Sequence, residues 1–405
     1  MSNLQNQLAH LRQRMGTATA PAAKIVNSAP VMDMLDGAEV QTEHGSHFES
    51  TRLWGNHQRH GSVYVSDLQE LPSDALAAIS EGQLPRFDPR RVAYLDTETT
   101  GLAGGSGTYA FLIGVGALTG DGFELKHFFM RDYAEESSQL AALSTHLKQF
   151  DVLITYNGRS FDQPLLETRY RMSRMVPPFA RMFHFDLLYG ARRLYKLAFA
   201  SCRLVELENQ ILGVERIDDV PGSMIPYLYF EFLRTKSAHR MGGIFEHNSF
   251  DILTLACLTG IIPRAFHAPL EVPLRRGAEM VGLARWLRAA DRAGEAVVLL
   301  RRALAKGLPD ALTWRTLWDC GLLEKKTGNE AGALALFTEL TTARNPHQAE
   351  AFEELAKYYE HTGKNYALAL DMTEEAQRLA PSPALSRRRE RLVKRAAVRR
   401  PGRLI

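Results

Sequence analysis

Cysteine is scarce in this sequence, and the three residues, Cys202, Cys257 and Cys320, lie far apart with no CxxC pair. That spacing offers neither a disulfide framework nor a thiolate zinc site. Long apolar runs are missing too. The longest strongly apolar stretch, Ala110 to Leu118, has nine residues, where a membrane-spanning helix needs about 20. The opening MSNLQNQLAHLRQ is not followed by an apolar signal segment, so a cytoplasmic protein with no membrane partner is expected. Net charge is small, at +3, but unevenly placed. Residues 381–405 hold nine Arg or Lys against one Glu, which leaves residues 1–380 at net −5. Such a tail fits two readings: an arm that holds phosphates without reading sequence, or a merely solvated arm.

What is present is enough apolar residue for a sizeable core. With 405 residues, 45% of them hydrophobic and 23% charged, the chain is long enough for two or more compact domains. Residues 1–87 are polar and read as an irregular extension packed loosely on the rest of the chain, with a short amphipathic helix around Ser73 to Ile79. Two HxxH pairs, His44/His47 and His57/His60, sit among glycine turns with no regular element to fix ligand directions, which argues against a metal site there.

Regular patterning starts near residue 91. Arg91 to Thr97, Thr108 to Leu118 and Gly122 to Met130 read as strands, Glu136 to Phe150 as a helix, and DVLITY (Asp151 to Tyr156) as a strand buried on both faces. Helical stretches recur from Ser160 and at Leu204 to Leu212, Ile225 to Arg234 and Ser249 to Thr259. Three leading strands followed by alternating helices and strands imply an α/β domain over 88–265, a mixed sheet flanked by helices. From 266 to 380 the period changes. Leu283 to Gly294, Leu317 to Gly328 and Phe352 to Gly363 repeat one apolar-to-glycine interval at separations of 34 and 35 residues. A helix, a glycine turn and a second helix at this period resemble tetratricopeptide repeats, so an all-α solenoid is expected. Residues 381–405 form the basic tail.

The sharpest chemical signal is a set of carboxylates. Asp96 and Glu98 in YLDTETTGL stand two apart on a strand and share one face. In TYNGRSFDQP, Asn157 closes the buried strand and Asp162 enters the first turn of a helix. In EHNSFDILTLACL, His247 and Asp251 are four apart on one helical face. Magnesium and manganese prefer such oxygen donors, and two ions about 4 Å apart suit phosphodiester hydrolysis. Asp96, Glu98, Asp162 and Asp251 are the candidate metal ligands, with His247 placed to take a proton from water.

These segments resemble the three motifs of the DEDD superfamily of 3'-to-5' exonucleases: DxE at Asp96 and Glu98, NxxxFD at Asn157 to Asp162, and a base-x-x-x-D motif ending at Asp251. The arrangement is similar to bacterial RNase H-like proteins with C-terminal tetratricopeptide repeats, and GLAGGSGTYAFLIGVG, FDLLYGARRLY and DDVPG fit it. The resemblance implies an RNase H-like fold, two Mg²⁺ or Mn²⁺ ions and a DNA or RNA substrate, with the repeats implying a protein partner. One departure is a histidine at the spacing where the family usually carries tyrosine. Two alternatives stay open: a nucleic-acid-binding and assembly module without useful catalysis, and a structure-specific endonuclease.

Weaker assignments surround this core. Thr99, Gly101 and Leu102 could line a pocket for a terminal nucleotide, and Asn157 could orient Asp162 or bind substrate. Gly104 to Gly107 read as a tight strand connection rather than a phosphate loop. Arg192, Arg193 and Lys196 fit either a nucleic-acid contact or a charged helix face. His184 and Asp186 read as support for a neighbouring helix, and Phe161, Tyr227 and Tyr229 as core packing.

Overall fold

The computed structural model describes residues 35–70, 73–80, 84, 87–101 and 107–398. Leu102 and residues 104–106 of the expected strand connection lie outside these. A seven-stranded sheet runs in the order β1-β2-β7-β6-β5-β8-β9. Its strands are β1 (Ala38–Thr42), β2 (Gly45–Gly55), β5 (Val92–Thr99), β6 (Ala110–Leu118), β7 (Gly122–Phe129), β8 (Val152–Thr155) and β9 (Phe183–Asp186). β5 pairs antiparallel with β6 and parallel with β8, so the sheet is mixed, and helices cover both faces.

Alternation along β5 sets the layers. Ala93 and Leu95 pack with Leu140, Leu143 and Leu147 of α2 (Glu136–Leu147) and Leu165 and Leu166 of α3 (Asp162–Met172). Val92 and Tyr94 face the other way, into a cluster with Ile252, Leu253 and Ala256 of the long helix α7 (Met241–His267). By the same period, Asp96 and Glu98 continue the α7 side and Thr97 the α3 side. α7 is long and apolar enough to cross a membrane by length and composition, yet it lies across the sheet as a core helix.

The irregular extension expected through residue 87 is corrected over 38–64. β1 and β2 extend the sheet edge on β7, and β3 (Arg59–His60) pairs with β4 (Val63–Tyr64). Polar composition hid β2 because its polar groups are paired by distant residues. His47, fully buried, bonds Ser138 Oγ at 2.9 Å and Glu49 at 3.1 Å, and Glu49 meets Lys126 at 2.7 Å. The helix expected around Ser73 to Ile79 is present as α1 (Ser73–Ile79).

Beyond α4 (Leu187–Tyr195), α5 (Leu204–Leu207), α6 (Ile225–Thr235) and α7, the chain is all-helical. α8 (Gly277–Ala289) with α9 (Ala293–Lys306), α10 (Asp310–Lys326) with α11 (Glu330–Thr341), and α12 (Gln348–His361) with α13 (Tyr366–Leu379) form three hairpins, followed by α14 (Pro383–Val398). The core crosses the expected boundary at residue 266 without a break: Val281, Leu283 and Trp286 belong to the cluster that holds Tyr94 and Ile252. Gly282 permits this approach, since a Cβ there would stand 2.5 Å from the Leu194 carbonyl oxygen of α4 and 2.8 Å from that of Arg193. The tail is no loose arm over 383–398. Leu385 and Leu392 of α14 are buried, and Arg391 forks onto the buried Glu360 carboxylate at 2.7 and 2.8 Å.

Candidate active site

Three elements bring the acids together. Asp96 and Glu98 stand at the end of β5, where a register irregularity between Glu98 and Thr99 breaks the β5–β6 ladder. Asp162 opens α3, and Thr97 Oγ1 donates to its Oδ1 at 2.6 Å across the strand end. Asp251 and His247 come from α7. Glu98, His247 and Asp251 offer ligand atoms that all lie within 4.8 Å of one another. Asp96 and Asp162 line an adjoining cleft with Thr99, Gly101 and Asn157. The Asn157 backbone takes a left-handed φ of 69°, turning the chain between β8 and α3. Its N–H donates to Asp186 Oδ1 at 2.8 Å, and that of Arg159 to Asp186 Oδ2 at 3.1 Å. Asp186 also caps α4 through the Leu188 N–H, so it supports a helix, as expected, and the Asp162 loop besides.

Of the three aromatic residues expected to pack in the core, Phe161 and Tyr227 are corrected and Tyr229 packs there. Phe161 is 54% exposed beside Asp162 and lines the cleft, because α3 turns inward only from Asp162. Tyr227 is half exposed, while Tyr229 is fully buried, stacked on Phe111 and donating to the Met130 carbonyl.

Residues that sequence reasoning passed over fix α7 over the site. Asn248 Nδ2 donates to Asp96 Oδ2 at 2.8 Å, and Asn248 Oδ1 lies 3.2 Å from His127 Nε2. Room for Asn248 exists because β6 carries Gly114: a Cβ there would fall closer than 3.0 Å to Asn248 Oδ1 and to Ile252 Cδ1. Asp219 sits 2.8 Å from His247 Nδ1. Arg216, almost fully buried, donates to Asp251 Oδ1 at 2.5 Å and to Glu208 Oε2 at 2.6 Å. Glu208 in turn meets His60 at 3.1 Å and Thr254 at 2.6 Å, which ties the N-terminal strands to the underside of the site. The adjacency of His247 and Asn248 and the DDVPG segment were the available signals.

Burial dominates the electrostatics. It raises Asp96 well above the usual carboxylate range, with Asp251, Asp162 and Glu98 adding repulsion. It pushes Glu98 up to about 8 despite the opposing His247 charge, and Asp162 up to about 6 despite the Thr97 bond. Asp251 is raised because desolvation outweighs Arg216 and His247. For His247, burial lowers the imidazole pKa, but Asp251, Glu98 and Asp219 together outweigh it and the net shift is upward.

A profile described as the RNase H superfamily matches residues 93–262. The chain is also 32% identical over 334 residues to the uncharacterized protein YprB of Bacillus subtilis (strain 168), across 78% of this chain and 77% of that protein. Residues 93–262 form an RNase H superfamily domain. Its RNase H-like fold, a mixed sheet flanked by helices, carries an all-helical C-terminal region. Superfamily membership supports nuclease activity and a nucleic-acid substrate.

The donor set of this RNase H-like site suits hard divalent cations, being carboxylate oxygens with one imidazole. Asp96, Glu98, Asp162 and Asp251 are four acids in a buried setting, opposed by His247 and by an Arg216 that Glu208 shares. Burial first, and at Asp96 and Glu98 repulsion from the neighbouring acids besides, raises their pKa values, and bound cations would favour the charged forms.

Proposed function

We propose that the protein is a metal-dependent 3'-to-5' exonuclease that hydrolyses phosphodiester bonds at single-stranded nucleic-acid ends. The observation that carries this reading is the convergence of Asp96, Glu98, Asp162, Asp251 and His247 at one strand end, beside a cleft of about 550 Å³. Asp96, Glu98, Asp162 and Asp251 would hold two Mg²⁺ or Mn²⁺ ions, which supply charge neutralisation and lower the pKa of water at such sites. Asp219 accepts the Nδ1–H of His247, which fixes the tautomer and leaves Nε2, 3.6 Å from Asp251 Oδ2, as the atom that takes a proton. Thr97 holds Asp162, and Asn248 holds Asp96, so the acids are oriented before substrate arrives. Exposed Phe161 offers a ring for a terminal base, with Thr99, Gly101 and Asn157 on the cleft wall.

The ion pair between Arg216 and Asp251 favours a second reading, a nucleic-acid-binding module whose guanidinium takes a charge that a cation would otherwise neutralise. Release of mononucleotides from a 5'-labelled oligonucleotide with Mg²⁺ or Mn²⁺, each with a chelator control, separates the two. Metal-dependent shortening supports the nuclease; tight binding without cleavage supports the module. Internal cuts in a circular or 3'-blocked substrate would instead make it a structure-specific endonuclease. The three hairpins are proposed as tetratricopeptide-type repeats that recruit a protein partner.

A further inference from the structure

A second cleft lies directly behind the loop that carries Asn157 to Asp162. It has a volume of about 440 Å³ and is lined by Arg159, Phe183, Tyr189, Arg192, Arg193 and Trp286, among others. Five parts of the chain build it: the end of α1 with Ile79 and Ser80, Arg159 of the loop before α3, the sheet edge β9, helix α4, and Trp286 from the first hairpin of the helical region. The close packing of α8 on α4 fixes this wall, with Gly190 leaving space for the Trp286 ring.

The chemistry of the lining is that of a single-strand platform. Arg192 and Arg193 are exposed, and among the described residues neither makes a salt bridge; Arg193 lies over the Trp286 ring at 5.5 Å. Asp186, the carboxylate in the cleft, is already engaged by the backbone N–H groups of Asn157, Arg159 and Leu188. The guanidinium charges are therefore left for an outside anion. Tyr189 is 51% exposed, an aromatic ring presented to solvent. On the other side of the same loop, exposed Phe161 lines the catalytic cleft. Guanidinium groups beside exposed rings suit phosphates and bases together, and the loop of residues 157–161 lines both clefts, with Asn157, Ser160 and Phe161 on the catalytic one and Arg159 on the second.

We infer that this second cleft is a nucleotide subsite for single-stranded nucleic acid: the strand crosses the loop, its phosphates meeting Arg192 and Arg193 and one base stacking on Tyr189. The inference rests on the nuclease reading for which end of the strand occupies the catalytic cleft. It gives the helical region a part in substrate binding through Trp286. It also makes affinity depend on strand length, since an oligonucleotide too short to pass the loop reaches one cleft only.

The test uses the full chain, with fluorescence anisotropy of 5'-fluorescein oligo(dT) and oligo(U) from 3 to 12 nucleotides, in chelator and over a series of salt concentrations. The double substitution Arg192→Ser and Arg193→Ser should weaken binding of the longer strands by roughly tenfold or more and reduce the salt slope by about 1.4, the share of two phosphate contacts on a single strand. Tyr189→Ala should weaken it by roughly 5- to 100-fold, and Tyr189→Phe should restore most of the loss by keeping the ring. Thermal melting accompanies each variant to show that it is folded. Unchanged affinity, slope and length dependence in both the double variant and Tyr189→Ala overturn the subsite, even if the wild type cleaves nucleic acid. A wild type that binds and loses affinity in these variants, but never cleaves, supports the subsite while refuting the nuclease. Absence of any oligonucleotide binding by the wild type overturns the subsite as well.

Discussion

Replacing Gly114 with alanine should impair the site without touching a chemical group in it. Gly114 lies on β6 opposite Asp96, and α7 passes over it so closely that an added Cβ would come within 3.0 Å of Asn248 Oδ1 and Ile252 Cδ1. Ordinary carbon contacts sit at about 3.5–4.0 Å, so the Asn248 amide and the Ile252 δ-methyl, buried side-chain ends carried by α7, must move by roughly 1 Å. Overpacking of this kind costs about 1–3 kcal/mol of stability. Displacing reacting groups by about 1 Å can cost on the order of 10²-fold in rate. The shift falls on the helix that carries His247 and Asp251 and loosens the Asn248–Asp96 bond. Turnover on a labelled oligonucleotide at saturating Mn²⁺, paired with a thermal melt, reads both effects. A Gly114→Ala protein with wild-type turnover and wild-type melting would refute the argument that this glycine makes the room in which Asn248 holds Asp96.

Asp219→Asn removes a charge and weakens a bond that raise the His247 pKa, so the rising limb of the pH–rate profile should move to lower pH, whereas His247→Ala should lower the maximal rate by roughly 10²- to 10⁴-fold; an unmoved profile in Asp219→Asn would remove Asp219 from the proton path. Without divalent ions Glu98 and Asp162 hold protons in the folded protein that the unfolded chain releases, so the stability that Glu98 contributes is fully present below its ordinary pKa of 4.5 and is lost as pH rises to about 8, and that of Asp162 is lost by about 6. Melting curves in chelator should follow that slope, and Mn²⁺ should restore most of the loss at pH 8; an ion effect absent at pH 8 would contradict it. Glu360→Gln leaves Arg391 with a weakened partner for its fork onto α12, so amides of α14 should exchange hydrogen faster while those of β5 and β6 hold their protection.

The central strands, the buried DVLITY strand and the helix bearing Asp251 were legible because their apolar period is local. β1 and β2 were not, since Glu49, His47 and Ser50 find partners far along the chain, among them Lys126, Ser138 and His127. The same reason hid part of the site. The acids could be read from spacing along one strand and one helix, but Arg216 and Asp219 arrive from a loop whose approach to α7 no period reports. Phe161 was misplaced because phenylalanine is among the side chains most often buried, while here it caps the start of α3 and stands 54% exposed. The basic tail was ambiguous in composition; the burial of Leu385 and Leu392, the packing of α14 on α13, and Glu360 as a buried anchor settle residues 383–398 as a docked helix.

The measurement that tests the account most directly uses a 5'-labelled single-stranded oligonucleotide with wild-type protein, Asp96→Asn, Asp162→Asn and Asp251→Asn, in Mg²⁺, Mn²⁺ and chelator. The account predicts a ladder shortening from the 3' end with wild type and either ion, no shortening in chelator, and none with any of the three variants although their circular dichroism matches wild type. Equal shortening by wild type and the variants, or none by wild type with either ion, would contradict it.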